Sequence, residues 1–109
     1  MANTFKLKTK ANVGVSTVGI YTAPASTTTV VIGITLSNTS GSGVNVGVGI
    51  TRAGTTEDVK LLKNAPIPSG SSLEFMAGNK VVLEETDTVT VDSDTNNSVD
   101  AALTIMEIT

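Results

Sequence analysis

Seven carboxylates lie between residues 74 and 100, and their spacing is compatible with two kinds of chemistry. A carboxylate pair can act as general acid and general base when its surroundings separate the two pKa values. A D-x-D-x-N loop can instead bind calcium through its oxygen atoms. The seven residues are Glu74, Glu84, Glu85, Asp87, Asp92, Asp94 and Asp100.

The calcium pattern is only partly present. Four residues stand at positions 1, 3, 5 and 9 of such a loop, namely Asp92, Asp94, Asn96 and Asp100. A complete loop also has glycine at position 6 and a bidentate glutamate at position 12. This chain has Asn97 and Leu103 there. A polar turn accounts for the same residues without an ion, so we predict no metal site.

An acid–base pair has little support either. Asp92 lies on the polar side of a predicted strand whose other side carries valines, and Glu85 and Asp87 fall at the turn before that strand. No aromatic side chain that could stack on a sugar lies nearby. We therefore expect these carboxylates at turns and on the solvated face of a sheet. The alternative is a small glycan hydrolase. A loss of turnover when Asp92 or Glu84 is changed would support that alternative.

The composition removes most other catalytic chemistry. The 109 residues include no histidine and no cysteine. The commonest general base, the commonest transition-metal ligand and any thiolate nucleophile are therefore missing. No G-x-S-x-G nucleophile motif or phosphate-binding loop occurs. We predict a protein that is not an enzyme and needs no cofactor.

Charge and hydropathy limit the partners. The net charge is −3, which is opposite in sign to that of most nucleic-acid binders. No apolar run approaches the roughly 18 residues of a membrane span. The N-terminal "MANTFKLKTK" has no apolar stretch after its lysines, so it is not predicted to be a signal peptide. We expect no nucleic-acid or membrane partner, and use without secretion.

The elements that position these residues are predicted to be strands. Period-2 alternation runs nearly from end to end, and the apolar content is mostly β-branched, which favours pleated sheets. Eight or nine short strands separated by turn signals predict one domain over 1–109, an antiparallel β-sandwich of immunoglobulin-like or jelly-roll type. The glycine-rich "SNTSGSG" predicts a hairpin between the strands beside it. "EDVKLLK" is either a short strand or a helical turn, and "NAPIPSGS" is predicted to be a loop.

The alternation also predicts which side chains face the core. In "TFKLKTK", Phe5 and Leu7 are predicted to be buried, with Lys6, Lys8 and Lys10 on the other face. The remaining predicted core positions are Val30, Ile32, Ile34, Leu36, Val44, Val46, Val48, Ile50, Leu73, Phe75, Val89, Val91, Val99, Ala101, Leu103 and Ile105.

Two features indicate contacts with a partner. Lysines on an edge strand oppose edge-to-edge aggregation, and they can also dock onto an acidic surface. Met106 and Ile108 leave the core phase of the last strand, which a bulge, ordinary end packing or burial against a partner would explain. The Val30–Val31 pair suggests the same kind of apolar patch. The candidate contacts are Lys6, Lys8, Lys10, Met106 and Ile108.

Four motifs, in their order, give the chain a resemblance to a known group. They are a proline turn before a long strand at Pro24–Thr27, "PSGSSLE" at Pro68–Glu74, "LEETDTVTV" at Leu83–Val91, and a last strand at Val99–Ile108. Their order and spacing resemble those of small β-sandwich virion structural proteins of tailed bacteriophages, including phages of marine bacteria and cyanobacteria. The resemblance covers nearly the whole chain.

The resemblance implies a capsid decoration, or cement, protein on the virion surface, made in the host bacterial cytoplasm. Its partners would be the major capsid protein and other copies of itself, with three copies as the expected number. The alternative is a tail or tail-fibre component that acts in adhesion to the host. No catalytic residues come with the resemblance.

Overall fold

The computed structural model describes residues 3–54, 57–75 and 80–109, with the side chain of Phe75 left out. Every regular element in these ranges is a β-strand. The nine strands are β1 (Asn3–Val13), β2 (Val18–Thr22), β3 (Thr28–Asn38), β4 (Val44–Arg52), β5 (Glu57–Ile67), β6 (Ser72–Phe75), β7 (Val81–Leu83), β8 (Asp87–Ser93) and β9 (Val99–Ile108).

The strands form two antiparallel sheets that face each other across one core. The five-stranded sheet has the order β1-β9-β3-β6, with β7 also paired to β3, and the four-stranded sheet has the order β2-β8-β4-β5. Most connections cross from one sheet to the other, whereas an immunoglobulin-like sandwich keeps its first two strands in one sheet. The predicted β-sandwich is confirmed, and the connectivity is that of a jelly roll.

The core is aliphatic, and both sheets contribute to it. The predicted inward positions on β4, β8 and β9 are confirmed, since their valines, leucine and isoleucines are nearly inaccessible to solvent. Val18, Ile20, Leu73 and Val81 pack against this cluster from the side. The side chain of Phe75, also predicted to face the core, lies outside the part of the chain that the structure describes. Branched aliphatic side chains fill the space between two pleated surfaces without burying polar atoms, which explains why so few aromatic residues are needed.

A β-bulge reverses the predicted phase of the first half of β3. Val31 pairs with Ile105 and Gly33 pairs with Thr104, so Ile32 is an additional residue on this strand. Val31 is therefore buried. The prediction that Val30 and Ile32 are core residues is wrong, because both are only half-buried. One extra residue moves every side chain before it to the opposite face of the sheet.

The predicted hairpin between β3 and β4 is wrong, because the two strands lie in different sheets. Residues 39–43 cross between the sheets, and the buried side chain of Asn38 supports this crossing. Its Nδ2 donates to the carbonyl oxygens of Ser42 and Ile67, both at 2.9 Å, while its Oδ1 accepts from the amide and the hydroxyl of Ser40. Each of the two strands buries one face in the same core. Two strands in opposite sheets show the same alternation as two strands of a hairpin, so the sequence pattern does not distinguish the two arrangements.

The segment "EDVKLLK", for which the sequence allowed a strand or a helical turn, is a strand, and this strand continues into the predicted loop "NAPIPSGS". β5 runs through Ala65 and Pro66 to Ile67. Its pairing with β4 shifts register between Leu62 and Ala65, where Asn64 has a φ of 55°. Because β5 is an edge strand, it tolerates both the irregularity and a proline that cannot donate a hydrogen bond.

Candidate interaction surface

The first strand is oriented opposite to the prediction. In its pairing with β9, Lys6 lies opposite the core residue Ile105, whereas Phe5 lies opposite Met106 and Leu7 opposite Thr104. Opposed residues of an antiparallel pair share a face. Phe5 and Leu7 therefore lie on the outer face, where they are 69% and 65% exposed. The predicted burial of these two residues is wrong, because alternation alone does not say which face of a strand is inward.

Lysines occupy the inward positions of β1 because it is an edge strand whose inner side stays accessible to solvent. The prediction that they lie on a sheet edge is confirmed. Lys6 Nζ lies 2.9 Å from Oε1 of Glu107. Lys8 is half-buried and Lys10 is exposed. Of the three predicted contacts, Lys6 is thus already engaged within the chain.

Glu107 is the inward residue at the end of β9. The strand keeps its alternation up to Ile108, so no bulge is needed to explain the outward position of Met106 and Ile108. Its Oε2 accepts a 2.6 Å hydrogen bond from the hydroxyl of Tyr21, which also lies 2.8 Å from Oγ1 of Thr29. The hydrogen bonds from Lys6 and then from Tyr21 lower the pKa of Glu107. Burial, followed by the bond to Glu107, raises the pKa of Tyr21 to about 12. This polar cluster ties β1, β2, β3 and β9 together at one end of the sandwich.

Met106 and Ile108 lie on the outer face of the five-stranded sheet, as predicted. Phe5, Met106, Val30 and Val82 are successive cross-strand partners on β1, β9, β3 and β7. We call these four residues the apolar row. Phe5 and Val82 form its exposed ends, and its middle residues are half-buried. The row spans four strands spaced about 4.8 Å apart, so it is a continuous apolar strip and not a scatter of single side chains.

Further along the same face lies a shallow depression with a volume of about 270 Å³. Its floor is built from the cross-strand row Thr9, Ala102 and Thr35, with Ser37 and Asp100 beside it. Small side chains leave this space open. The outer face of the five-stranded sheet therefore has a raised apolar end and a lowered end of small residues.

The outer face of the four-stranded sheet is different in character. Its outward-facing positions on β8 are Thr88, Thr90 and Asp92, which are half-buried, and glycines and polar residues lie beside them on β4. Thr88 pairs its hydroxyl with that of Thr22 at 2.9 Å, and Asp92 accepts a 3.0 Å bond from Thr17. Among the residues that the structure describes, a broad apolar strip is thus found on the five-stranded sheet and not on this one.

Of the seven carboxylates between residues 74 and 100, Asp87 departs from its predicted solvated position. It is 4% exposed, lies 3.3 Å from Nε of Arg52, and accepts the backbone N–H of Glu84 at 2.9 Å. Glu84 is exposed as predicted and pairs with the same guanidinium at 2.6 Å. Glu85 is exposed and accepts the backbone N–H of Ser26. These bonds connect loops at one end of the sandwich.

The three aspartates of the calcium pattern each make a separate local contact. Asp94 accepts the backbone N–H of Asn45, and Asp100 accepts that of Asn12. Asp92 has Lys60 Nζ at 3.8 Å as well as its bond from Thr17. Within residues 3–54, 57–75 and 80–109, no cluster of three or more potential metal-ligating acidic side chains occurs. In the same ranges no helix has the length and apolarity needed to cross a membrane.

Sequence reasoning missed Phe5, Leu7 and Val82 as surface residues, and it missed the polar cluster around Glu107. The available signal was Glu107 itself. It follows Leu103 and Ile105 at the spacing of an inward side chain, and a carboxylate in an inward position needs a cationic partner on a neighbouring strand.

Comparison with known proteins supports the fold. No family model and no curated protein matches the chain. A solved structure of Bacillus endospore appendages, described as a novel family of disulfide-linked pili, is similar with a TM-score of 0.57 and 17% sequence identity. The similarity covers 99% of this chain and 87% of that one. At this identity the similarity shows a common β-sandwich architecture.

Proposed function

We propose that this chain is a structural subunit that acts by binding within a larger repeating assembly, and that it performs no catalysis. The observation that carries the proposal is the difference between the two outer faces. One sheet presents an apolar strip from Phe5 to Val82, whereas the other presents threonines, glycines and Asp92. An exposed apolar strip of this kind marks an interaction surface in a water-soluble sandwich.

In its most specific form, the proposal is a decoration protein on the head of a tailed bacteriophage, bound to the major capsid protein. The resemblance of the four sequence motifs supports this, and the similarity of the fold to a pilus subunit is compatible with a structural role. Such a protein would bridge neighbouring capsid subunits and bury surface across their seams. At roughly 25 cal/mol per Å² of apolar surface, even a modest contact repeated over a shell raises the barrier to rupture.

The assembly would be held together by noncovalent contacts. The similar appendages are described as disulfide-linked, but these 109 residues contain no cysteine. Cross-linking of that kind is therefore impossible within this sequence. Burial of apolar area and ionic contacts must supply the binding energy instead.

Met106 and Ile108 remain candidate contacts because they lie on the apolar outer face. Of the three candidate lysines, only Lys8 and Lys10 are suitable for testing an ionic contact with a partner. Replacing Lys6 by glutamate would place a second carboxylate beside the buried Glu107, so a loss of binding would be confused with a loss of folding. Lys8 and Lys10 are the lysines to change together, and a salt-sensitive weakening of attachment would support an ionic contact with the shell.

The first experiment is the copy number per particle, measured by quantitative mass spectrometry against the major capsid protein. A ratio near one, or a simple fraction of one, is expected for a decoration protein. A handful of copies that matches threefold or sixfold tail symmetry would overturn the head assignment and favour the tail-adhesion alternative.

A second experiment tests the apolar face. Val82→Ser should lower the occupancy of the protein on particles, because Val82 ends the apolar row. Val15→Ser is the matched control, since Val15 lies outside the row and is 57% exposed, against 58% for Val82. Equal occupancy of the two variants would contradict the assignment of this face as the binding surface.

A further inference from the structure

The apolar row and the depression lie on one face at a fixed offset. Along β1, Phe5 is four residues from Thr9, and along β9, Met106 is four residues from Ala102. At about 3.4 Å per residue, the two rows are roughly 14 Å apart. Midway between them lies a third row, formed by Leu7, Thr104 and Gly33.

We propose that the partner of this face is a second copy of the chain, packed face to face around a two-fold axis that runs along the Leu7–Thr104–Gly33 row. This assignment rests on the proposed function, because it takes the apolar face to be the assembly surface. A two-fold contact requires one surface patch to be complementary to itself. A raised end and a lowered end at equal distances from a central row meet that requirement.

The rotation brings matching residues together. It leaves each strand over the same strand of the partner but reverses its direction, so Phe5 of one copy lies over Thr9 of the other. Met106 and Val30 then lie over Ala102 and Thr35. A cavity of 150 Å³ holds a benzene ring, so the depression of about 270 Å³ has room for the phenyl group of Phe5.

Gly33 lies at the centre of the proposed contact. A Cβ at this position would meet no atom within 4 Å in the single chain, so the space above it is open. Facing sheets pack about 10 Å apart, and a glycine on the axis lets the two backbones approach without a clash. A long side chain here would leave the monomer intact and separate the two copies.

The contact is small. Four strands and about eight residues of each strand give roughly 500 Å² of flat area per copy, below the roughly 800 Å² per partner of a standard interface. We therefore expect a dimer that dissociates on dilution. Its assembly must be followed over a wide range of concentration.

The test is sedimentation velocity on the purified full chain from about 1 µM to 1 mM, with four proteins in parallel. The unchanged chain should convert from monomer to dimer as concentration rises. Gly33→Lys and Ala102→Tyr, which obstruct the axis and fill the depression, should each raise the dissociation constant by about tenfold or more. Val15→Ser should behave as the unchanged chain, and circular dichroism melting checks that every variant is folded.

Chemical cross-linking locates the axis. Because the chain has no cysteine, Thr104→Cys introduces one thiol close to its symmetry mate, and a short bismaleimide should give a covalent dimer. Thr88→Cys, on the outer face of the other sheet, should give none. Equal yields from the two variants would place the contact elsewhere and overturn the proposal.

The outcomes separate this inference from the proposed function. A monomer at every concentration, or a trimer, overturns the two-fold pair, and a trimer would agree with the number expected from the sequence resemblance. If the chain is monomeric while Val82→Ser still detaches from particles, the structural function stands without the pair. If the pair forms but Val82→Ser leaves particle occupancy unchanged, the pair stands and the apolar face is not the surface that binds the particle.

Discussion

Lys6 on the edge strand β1 places its Nζ 2.9 Å from Oε1 of Glu107, whose side chain is almost fully inside the sandwich. The strand that looks amphipathic in sequence thus turns its charged side inward, because a carboxylate there needs a cation. The same contact turns Phe5 and Leu7 toward solvent. A single ion pair at the edge of the core is therefore linked to the exposure of the apolar row.

Removing the ammonium group should destabilise the fold. Lys6→Met keeps the length of the side chain but leaves Glu107 with Tyr21 as its remaining side-chain partner in the cluster. We expect a loss of about 1–3 kcal/mol in the free energy of unfolding, the usual cost of depriving a buried polar group of a partner. Urea titration at pH 7 measures it. Lys10→Met, on the same strand but exposed, is the control, and equal midpoints for the two variants would refute the role of Lys6.

Acid should remove the stabilisation that Glu107 provides. Its pKa is lower in the folded chain, first because of Lys6 and then because of Tyr21. A group with a depressed pKa stabilises the fold fully above its unfolded pKa of about 4.3 and loses that contribution as pH falls through the folded value. Glu107→Gln should therefore be less stable than the parent at pH 7, and the gap should narrow below about pH 4. A gap that does not change with pH would contradict this, and Glu74→Gln serves as an exposed control for the substitution.

The phenol of Tyr21 should titrate at unusually high pH. The chain has one tyrosine and no tryptophan, so phenolate absorbance near 295 nm reports on this side chain alone. Burial and the bond to Glu107 raise its pKa to about 12, against about 10 in an unfolded chain. Stability from this group is complete below pH 10 and is lost as pH rises toward 12. In Glu107→Gln the midpoint should fall part of the way, and a midpoint near 10 in the folded parent would disprove the burial of this hydroxyl.

Two glycines in strands should respond oppositely to alanine. A Cβ on Gly49 would lie 2.8 Å from the carbonyl oxygen of Val59 and 3.1 Å from Oγ1 of Thr90, so β5 would have to move. We expect Gly49→Ala to cost about 1–3 kcal/mol. Gly33→Ala meets no atom and should be neutral or stabilising by up to about 1 kcal/mol, because glycine loses more entropy on folding. Thermal melts measure the stability of both variants. A Gly33→Ala variant that is less stable than Gly49→Ala would contradict the packing of β5 against β4.

Much of the fold followed from local pattern. Period-2 alternation of β-branched residues predicted a two-sheet β-sandwich, and Val44, Val46, Val48 and Ile50 were placed correctly. This worked because a strand with one buried face must repeat every two residues, whatever its neighbours are. The outward position of Met106 and Ile108 followed from the same rule.

Only the tertiary structure decided which face of β1 is inward, and which sheet each strand joins. Lys6 and Phe5 alternate equally well in either orientation, and the choice depends on Glu107, which is 101 positions from Lys6 in sequence but adjacent in the sheet. The bulge at Ile32 and the crossing after Asn38 likewise depend on partners far along the chain. Composition and alternation thus determined the kind of layers that form, whereas long-range pairing decided which side chains they expose, and with them the surface available to a partner.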